Sequence, residues 1–241
     1  MSIINNTDRI GNFTSSEIVA LMSNGRAKDS MGAPALTYIE ETNIEREMQI
    51  SLTTETNARP LSWGKVCEKR VHDLLGTSYE YLSDITKVHP TIPYWAGSLD
   101  FFKHSENKTV IDAKCPITRK SFYQLVKDND ITKMRERHKD GDKYYYQLVS
   151  NAIINDCTHA ELIVYMPYLS ELEAIREIAY NWEGDQNKVA WIGFSNDEDL
   201  PHLKDVGNFK NLNIISFEIS QSEKDLLTER VIMAGKLLNK P

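Results

Sequence analysis

Residues Trp95 to Pro116 read WAGSLDFFKHSENKTVIDAKCP, and Asp100, Asp112 and Lys114 break apolar runs in which a strand favours hydrophobic side chains. The stretch holds two Asp/Glu-x-Lys triplets, so the triplet by itself says little. Glu106-Asn107-Lys108 falls in a polar turn where all three side chains can be solvated. Asp112-Ala113-Lys114 follows Thr-Val-Ile, and strand alternation puts Asp112 and Lys114 on one face with Ala113 opposite. A buried Asp-Lys pair carries a desolvation cost that only good pairing offsets. A structural ion pair is one reading. Asp100 favours another, because a hairpin brings this second carboxylate to the same spot. An ion pair does not need it, whereas a divalent cation does: Mg²⁺ takes one or two carboxylates and completes its shell with water and phosphate oxygens. Lys114 then orients or helps deprotonate a water, or stabilises charge developing on phosphate, which suits phosphodiester hydrolysis.

Those residues need a scaffold. FTSSEIVALMS reads as a capped helix with Ile18, Leu21 and Met22 at i, i+3, i+4 spacing. After a loop, ALTYIEETNIEREMQISL is helical, Thr/Asn-rich TTETNARP interrupts, and LSWGKVCEKRVHDLLG is a strong helix stopped by Gly76. Its Val66, Val71, Leu74 and Leu75 form one apolar face. SYEYLSDI, YWAGSLDFF and KTVIDAKCP are short strands, the last two joined by KHSEN. Lys120 to Lys139 is helical in part, and DKYYYQLVSNAIINDC is a helix. HAELIVYMP is a buried strand, LSELEAIREIAYNW a helix, KVAWIGFS and NIISFEIS are strands, and SEKDLLTERVIMAGKLL is a capped helix. The pattern predicts one α/β domain over residues 1–241, a central mixed sheet flanked by helices.

The chain has 241 residues, 41% of them hydrophobic, enough to bury a substantial core. Three cysteines without a C-x-x-C pair, and no apolar leader or span, predict a cytoplasmic protein without a membrane, disulfide or zinc framework. A net charge of −7 argues against nucleic acid as a partner, but the charge is uneven. Lys114 to Lys143 holds nine Lys and Arg against five Asp and Glu, a local excess of four that leaves −11 elsewhere. A solvated helix face explains that run as well as DNA does.

The ordered elements GSLD and VIDAK, with eleven residues between Asp100 and Asp112, resemble the PD-(D/E)XK nuclease motif. The flanking sequence, from about Asp8 to Tyr168, is similar to the phage-type recombination exonucleases related to lambda exonuclease, the YqaJ-like branch. The resemblance implies a restriction-endonuclease-like core and a Mg²⁺ site, with Mn²⁺ as substitute, held by Asp100, Asp112 and the Ala113 carbonyl. It makes Lys114 the catalytic lysine. WGKVCE resembles the helix that delivers a further acid, which nominates Glu68, otherwise an ordinary helix residue. Arg9 and Ser16 in RIGNFTSSE, Ser98, and Gln147 in YYYQLVSN match the family's pocket for a terminal 5′-phosphate, where an Arg fork and neutral donors recognise phosphate. Helix capping also explains Ser16, and a surface amide also explains Gln147.

The resemblance further implies 5′→3′ degradation of double-stranded DNA ends to leave 3′ overhangs, a homo-oligomeric, trimeric ring, and a single-strand annealing partner. A restriction-like endonuclease and a catalytically inactive DNA-binding relative are the alternatives. Leu99 and Phe101 stand where proline and glycine are common, and the second acid is Asp rather than the frequent Glu. Cys115 reads as a packing thiol, and Tyr144 to Tyr146 as core rather than base-stacking rings.

Overall fold

The computed structural model describes residues 9–27, 30–52, 58–83 and 85–239. Asp8, where the resemblance begins, and most of the predicted interruption at 53–60 lie outside the described residues. In chain order the elements are β1 (Phe13–Thr14), a 3₁₀ turn (Ile18–Met22), α1 (Ala33–Met48), α2 (Arg59–Leu75), β2 (Tyr79–Tyr81), β3 (Thr86–Val88), β4 (Trp95–Ser98), β5 (Phe101–Lys103) and β6 (Thr109–Lys114). Then follow α3 (Arg119–Val126), α4 (Ile131–Arg137), α5 (Gly141–Ile154), β7 (His159–Tyr165), α6 (Leu172–Tyr180), α7 (Gln186–Phe194), β8 (Leu212–Glu218) and α8 (Gln221–Gly235).

The strands make a five-stranded sheet in the order β2-β5-β6-β7-β8 and a three-stranded sheet in the order β1-β4-β3. In the larger sheet β6 and β7 run parallel and the other neighbours antiparallel. This is the mixed α/β arrangement that the sequence predicts. Alternation along β6 and β7 sends Val110, Ala160, Leu162 and Val164 to a core shared with α5 and α8. Ile111, Ile163 and Tyr165 point the opposite way, to a core with α2, α6 and α7. Central strands buried on both faces explain the apolar run Leu162 to Tyr165 of β7.

Several elements differ from expectation. The segment predicted as the first helix begins instead as β1, because Phe13 N–H and Ser15 N–H bond the carbonyls of Tyr94 and Ala96 beside β4. The helix that follows is only the 3₁₀ turn, with Glu17 at its start and no side-chain cap. Ser16 therefore does not cap it. YWAGSLDFF is two strands in two sheets rather than one, with the chain crossing between them at Leu99 and Asp100. KVAWIGFS is helical within α7: Asp185 accepts the Asn187 N–H at its start, and Val189 and Ile192, at i and i+3, bury beneath it. In α2 the buried face is Trp63, Val66, Cys67 and Val71, while Leu74 is exposed. The strand β3 has no counterpart in the predicted set.

Candidate active site

Because Asp112 and Lys114 occupy even positions of β6 with Val110, their side chains point to the face covered by α5. Asp112 is 1% exposed there. Lys114 Nζ lies 2.5 Å from Asp112 Oδ2. Gln147 of α5 donates from Nε2 to Asp112 Oδ1 at 2.6 Å, and its Oε1 accepts from Lys114 Nζ at 3.4 Å. Asp112 thus has one oxygen on an ammonium and one on an amide, which makes a buried carboxylate tolerable.

Asp100 arrives by a different route. It sits at the crossing from β4 to β5, where its N–H donates to the Ile111 carbonyl and its Oδ2 accepts the Ala113 N–H at 2.7 Å. The crossing therefore fastens the first acid against the strand that carries the second. Burial, then the charges of Asp112 and Glu68, push the Asp100 carboxyl well above the ordinary carboxylate range, and Lys114 and the Ala113 N–H only partly offset this. For Lys114 burial favours loss of the proton, but Asp112 and Asp100 outweigh it and hold the ammonium above the ordinary lysine range. Without a bound cation Lys114 is charged, a hydrogen-bond donor and not a base.

Beside Asp100 opens a polar pocket of about 410 Å³ lined by Arg9, Ser16, Ser98, Gln147, Glu68 and Asp100 among others. All four residues nominated for phosphate therefore share one cavity with two of the nominated metal ligands. Arg9 donates to Ser16 Oγ at 3.3 Å, and Ser16 Oγ lies 3.3 Å from Thr14 Oγ1. Ser98 Oγ is 3.0 Å from Thr86 Oγ1 across the β3–β4 ladder. Helix α5 fixes this wall: Asn151 donates to the Ser98 carbonyl at 3.0 Å, and Ser150 Oγ accepts from Trp95 Nε1 and pairs with Ser15 Oγ, each at 2.8 Å. Gly97 is required here, since a Cβ on it would lie 2.3 Å from both Asn151 Oδ1 and Ser15 Oγ.

Sequence reasoning missed Lys65, Thr14 and Thr86, which also line the pocket. Lys65 stands one helical turn before Glu68, a spacing that places both on one side of α2 and was visible in WGKVCE. Thr86 had no signal beyond a three-residue strand.

The donors fit a hard divalent cation in kind. Asp100, Asp112, Glu68 and the Ala113 carbonyl are all oxygen ligands, and the mutual repulsion that raises Asp100 is what a cation relieves. Among the described residues no three His, Cys, Asp or Glu side chains already close into a metal cage. Lys114 lies against Asp112 and the Ala113 N–H occupies Asp100, so the set suits an ion that keeps part of its water shell. Cys115 packs against the α2 side of the sheet, as a structural thiol does. Among the described residues no helix is long and apolar enough to cross a membrane.

No family model and no curated protein sequence matches the chain. Solved structures do. LHK-Exo in complex with dAMP matches with a TM-score of 0.60 at 14% identity, covering 96% of this chain and 90% of that one. A phage related exonuclease from Haemophilus somnus 129PT matches with a TM-score of 0.61 at 13% identity, covering 94% and 92%. The alkaline exonuclease LHK-Exo from Laribacter hongkongensis matches with 0.59 at 14% identity, covering 95% and 89%. The likeness carries the fold: this chain has the restriction-endonuclease-like fold of those exonucleases over nearly its whole length.

Proposed function

We propose that this protein is a Mg²⁺-dependent exodeoxyribonuclease that hydrolyses double-stranded DNA from its ends in the 5′→3′ direction and leaves 3′ overhangs. The observation that carries the reading is the single pocket in which Arg9, Ser16, Ser98 and Gln147 meet Asp100 and Glu68, next to the Asp112–Lys114 pair. Its resemblance in fold to phage-related and alkaline exonucleases supports the same chemistry.

In this reading Arg9 and the hydroxyls of Ser16 and Ser98 hold the terminal 5′-phosphate, and Gln147 joins that site to the acids. Asp100, Asp112, the Ala113 carbonyl and Glu68 hold Mg²⁺, with Mn²⁺ as substitute. When bound, the cation supplies Lewis-acid stabilisation of charge on the phosphate and on the departing 3′-oxygen. Water attacks the next phosphorus in line, the P–O3′ bond breaks, and a 5′-mononucleotide leaves. Lys114, beside the acids on β6, offers a hydrogen bond and positive charge to the charge developing on the phosphate. Each cleavage leaves a new 5′-phosphate on the shortened strand, so the pocket serves every cycle after the first.

A homo-oligomeric ring around the duplex, a single-strand annealing protein that takes up the 3′ strand, and a cytoplasmic setting belong to the same reading. The test is incubation of one plasmid, linear or covalently closed, with protein and Mg²⁺. The linear form is degraded and the closed form survives. Cutting of closed circles instead makes the protein an endonuclease, and an inert protein makes it a binding relative.

A further inference from the structure

The three consecutive tyrosines of α5 have different surroundings. Tyr145 is 4% exposed and belongs to the core with α8, and Tyr146 packs against the same core. Tyr144 turns its ring face to the active site, and Lys114 Nζ stands 4.9 Å from its centroid. A cation over an aromatic face is attracted by the ring quadrupole. Tyr144 is three residues from Gln147, so one turn of α5 delivers two contacts to the same ammonium.

The ring is itself held from behind. His138, 4% exposed, lies against it with centroids 5.4 Å apart and planes 32° apart. The Asp140 N–H donates to His138 Nδ1 at 3.1 Å, which leaves the imidazole proton on Nε2, where it is donated to Ser121 Oγ at 2.8 Å. The imidazole is therefore neutral and sets no positive charge behind a ring that faces an ammonium. Burial pushes the Tyr144 phenol above its ordinary range against the pull of Lys114, so the ring is neutral too.

We propose that Tyr144 is a positioning residue: its ring face, braced by His138, aims the Lys114 ammonium at the scissile phosphate while Asp112 is engaged with the cation. The proposal rests on the nuclease reading. Asp112 serves both Lys114 and the cation, and a carboxylate shared in this way holds the ammonium less firmly than one reserved for it. The ring is a partner that no cation competes for.

The test compares Tyr144→Leu, which keeps an apolar side chain without a ring face, with Tyr144→Phe, which keeps the face without the hydroxyl. In steady-state digestion of linear duplex DNA with Mg²⁺, Tyr144→Leu lowers kcat about five- to thirty-fold, what a desolvated cation–ring contact is worth, with KM unchanged. Tyr144→Phe restores most of it. A second readout uses metal-free protein carrying ¹³C-labelled lysine, with Lys114→Arg assigning the signal. The Lys114 ε-methylene resonance is shifted upfield by the ring in wild type and Tyr144→Phe and loses that shift in Tyr144→Leu. Equal kcat in wild type and Tyr144→Leu, or a Phe variant as slow as the Leu variant, overturns the role of the ring face. A wild-type protein that leaves DNA intact overturns the nuclease reading itself.

Discussion

Asp100→Asn is expected to raise the stability of the metal-free protein while removing its nuclease activity. The substitution keeps the side-chain volume and the oxygen that accepts the Ala113 N–H at 2.7 Å. It removes a charge disfavoured by burial and by the carboxylates of Asp112 and Glu68, which Lys114 only partly offsets. If Lys114 cancels one of the two repulsions, one like-charge interaction and the burial cost remain. At an effective dielectric of about 20, a like charge a few ångström away costs up to ~4 kcal/mol, and relaxation reduces this to about 1–3 kcal/mol. For a chain of this size that is about 2–12 °C in Tm. The assay is thermal unfolding in EDTA followed by circular dichroism. The sign with pH follows from the raised carboxyl: stability contributed by protonated Asp100 is present below the ordinary carboxylate range and is lost as pH rises through its folded value. The gap between variant and wild type therefore widens as pH rises and closes in acid. Added Mg²⁺ stabilises wild type more than the variant and narrows the gap. A variant less stable than wild type in EDTA at every pH would show that the acids do not oppose one another in the metal-free protein.

Lys114→Met leaves Asp112 without the ammonium 2.5 Å away, so urea unfolding without metal should show a loss of about 3–5 kcal/mol. The same variant should lose about 10²–10⁴-fold in kcat on linear DNA with Mg²⁺. Arg9→Gln removes the pocket's guanidinium and should reduce the preference for a 5′-phosphorylated end about tenfold or more, measured on release of the first nucleotide. Gly97→Ala forces a methyl to within 2.3 Å of Asn151 Oδ1 and Ser15 Oγ, and should cost about 1–3 kcal/mol in urea unfolding.

The acid-bearing strand was legible because β6 alternates between two helix-covered faces, and alternation alone assigns Asp112 and Lys114 to one of them. The helix α2 was legible at its end, where Gly76 takes a positive φ of 70° that other residues adopt rarely. Asp100 was legible as a residue but not in its setting. GSLDFF reads as one strand, whereas the chain leaves one sheet and enters another at this aspartate, which is how its carboxyl reaches the Ala113 N–H. The α7 segment was misread because Val, Trp, Ile and Phe suit strands, and only its packing under α2 and α6 makes it a helix. Thr86 and Tyr144 depend on pairings between distant segments, with Ser98 and Lys114, that no local pattern encodes.

In the proposed reading the pocket holds a DNA end by its 5′-phosphate beside the acids that cleave the next bond. Its most direct test is the rate of first-nucleotide release from linear duplex DNA in Mg²⁺, comparing 5′-phosphorylated with 5′-hydroxyl ends. Release of the first nucleotide is expected to be faster from the phosphorylated end, with matching rates thereafter, since the first cut leaves both substrates with a 5′-phosphate. Equal first-nucleotide rates would contradict the assignment of Arg9, Ser16, Ser98 and Gln147, and no release from either end would contradict the nuclease itself.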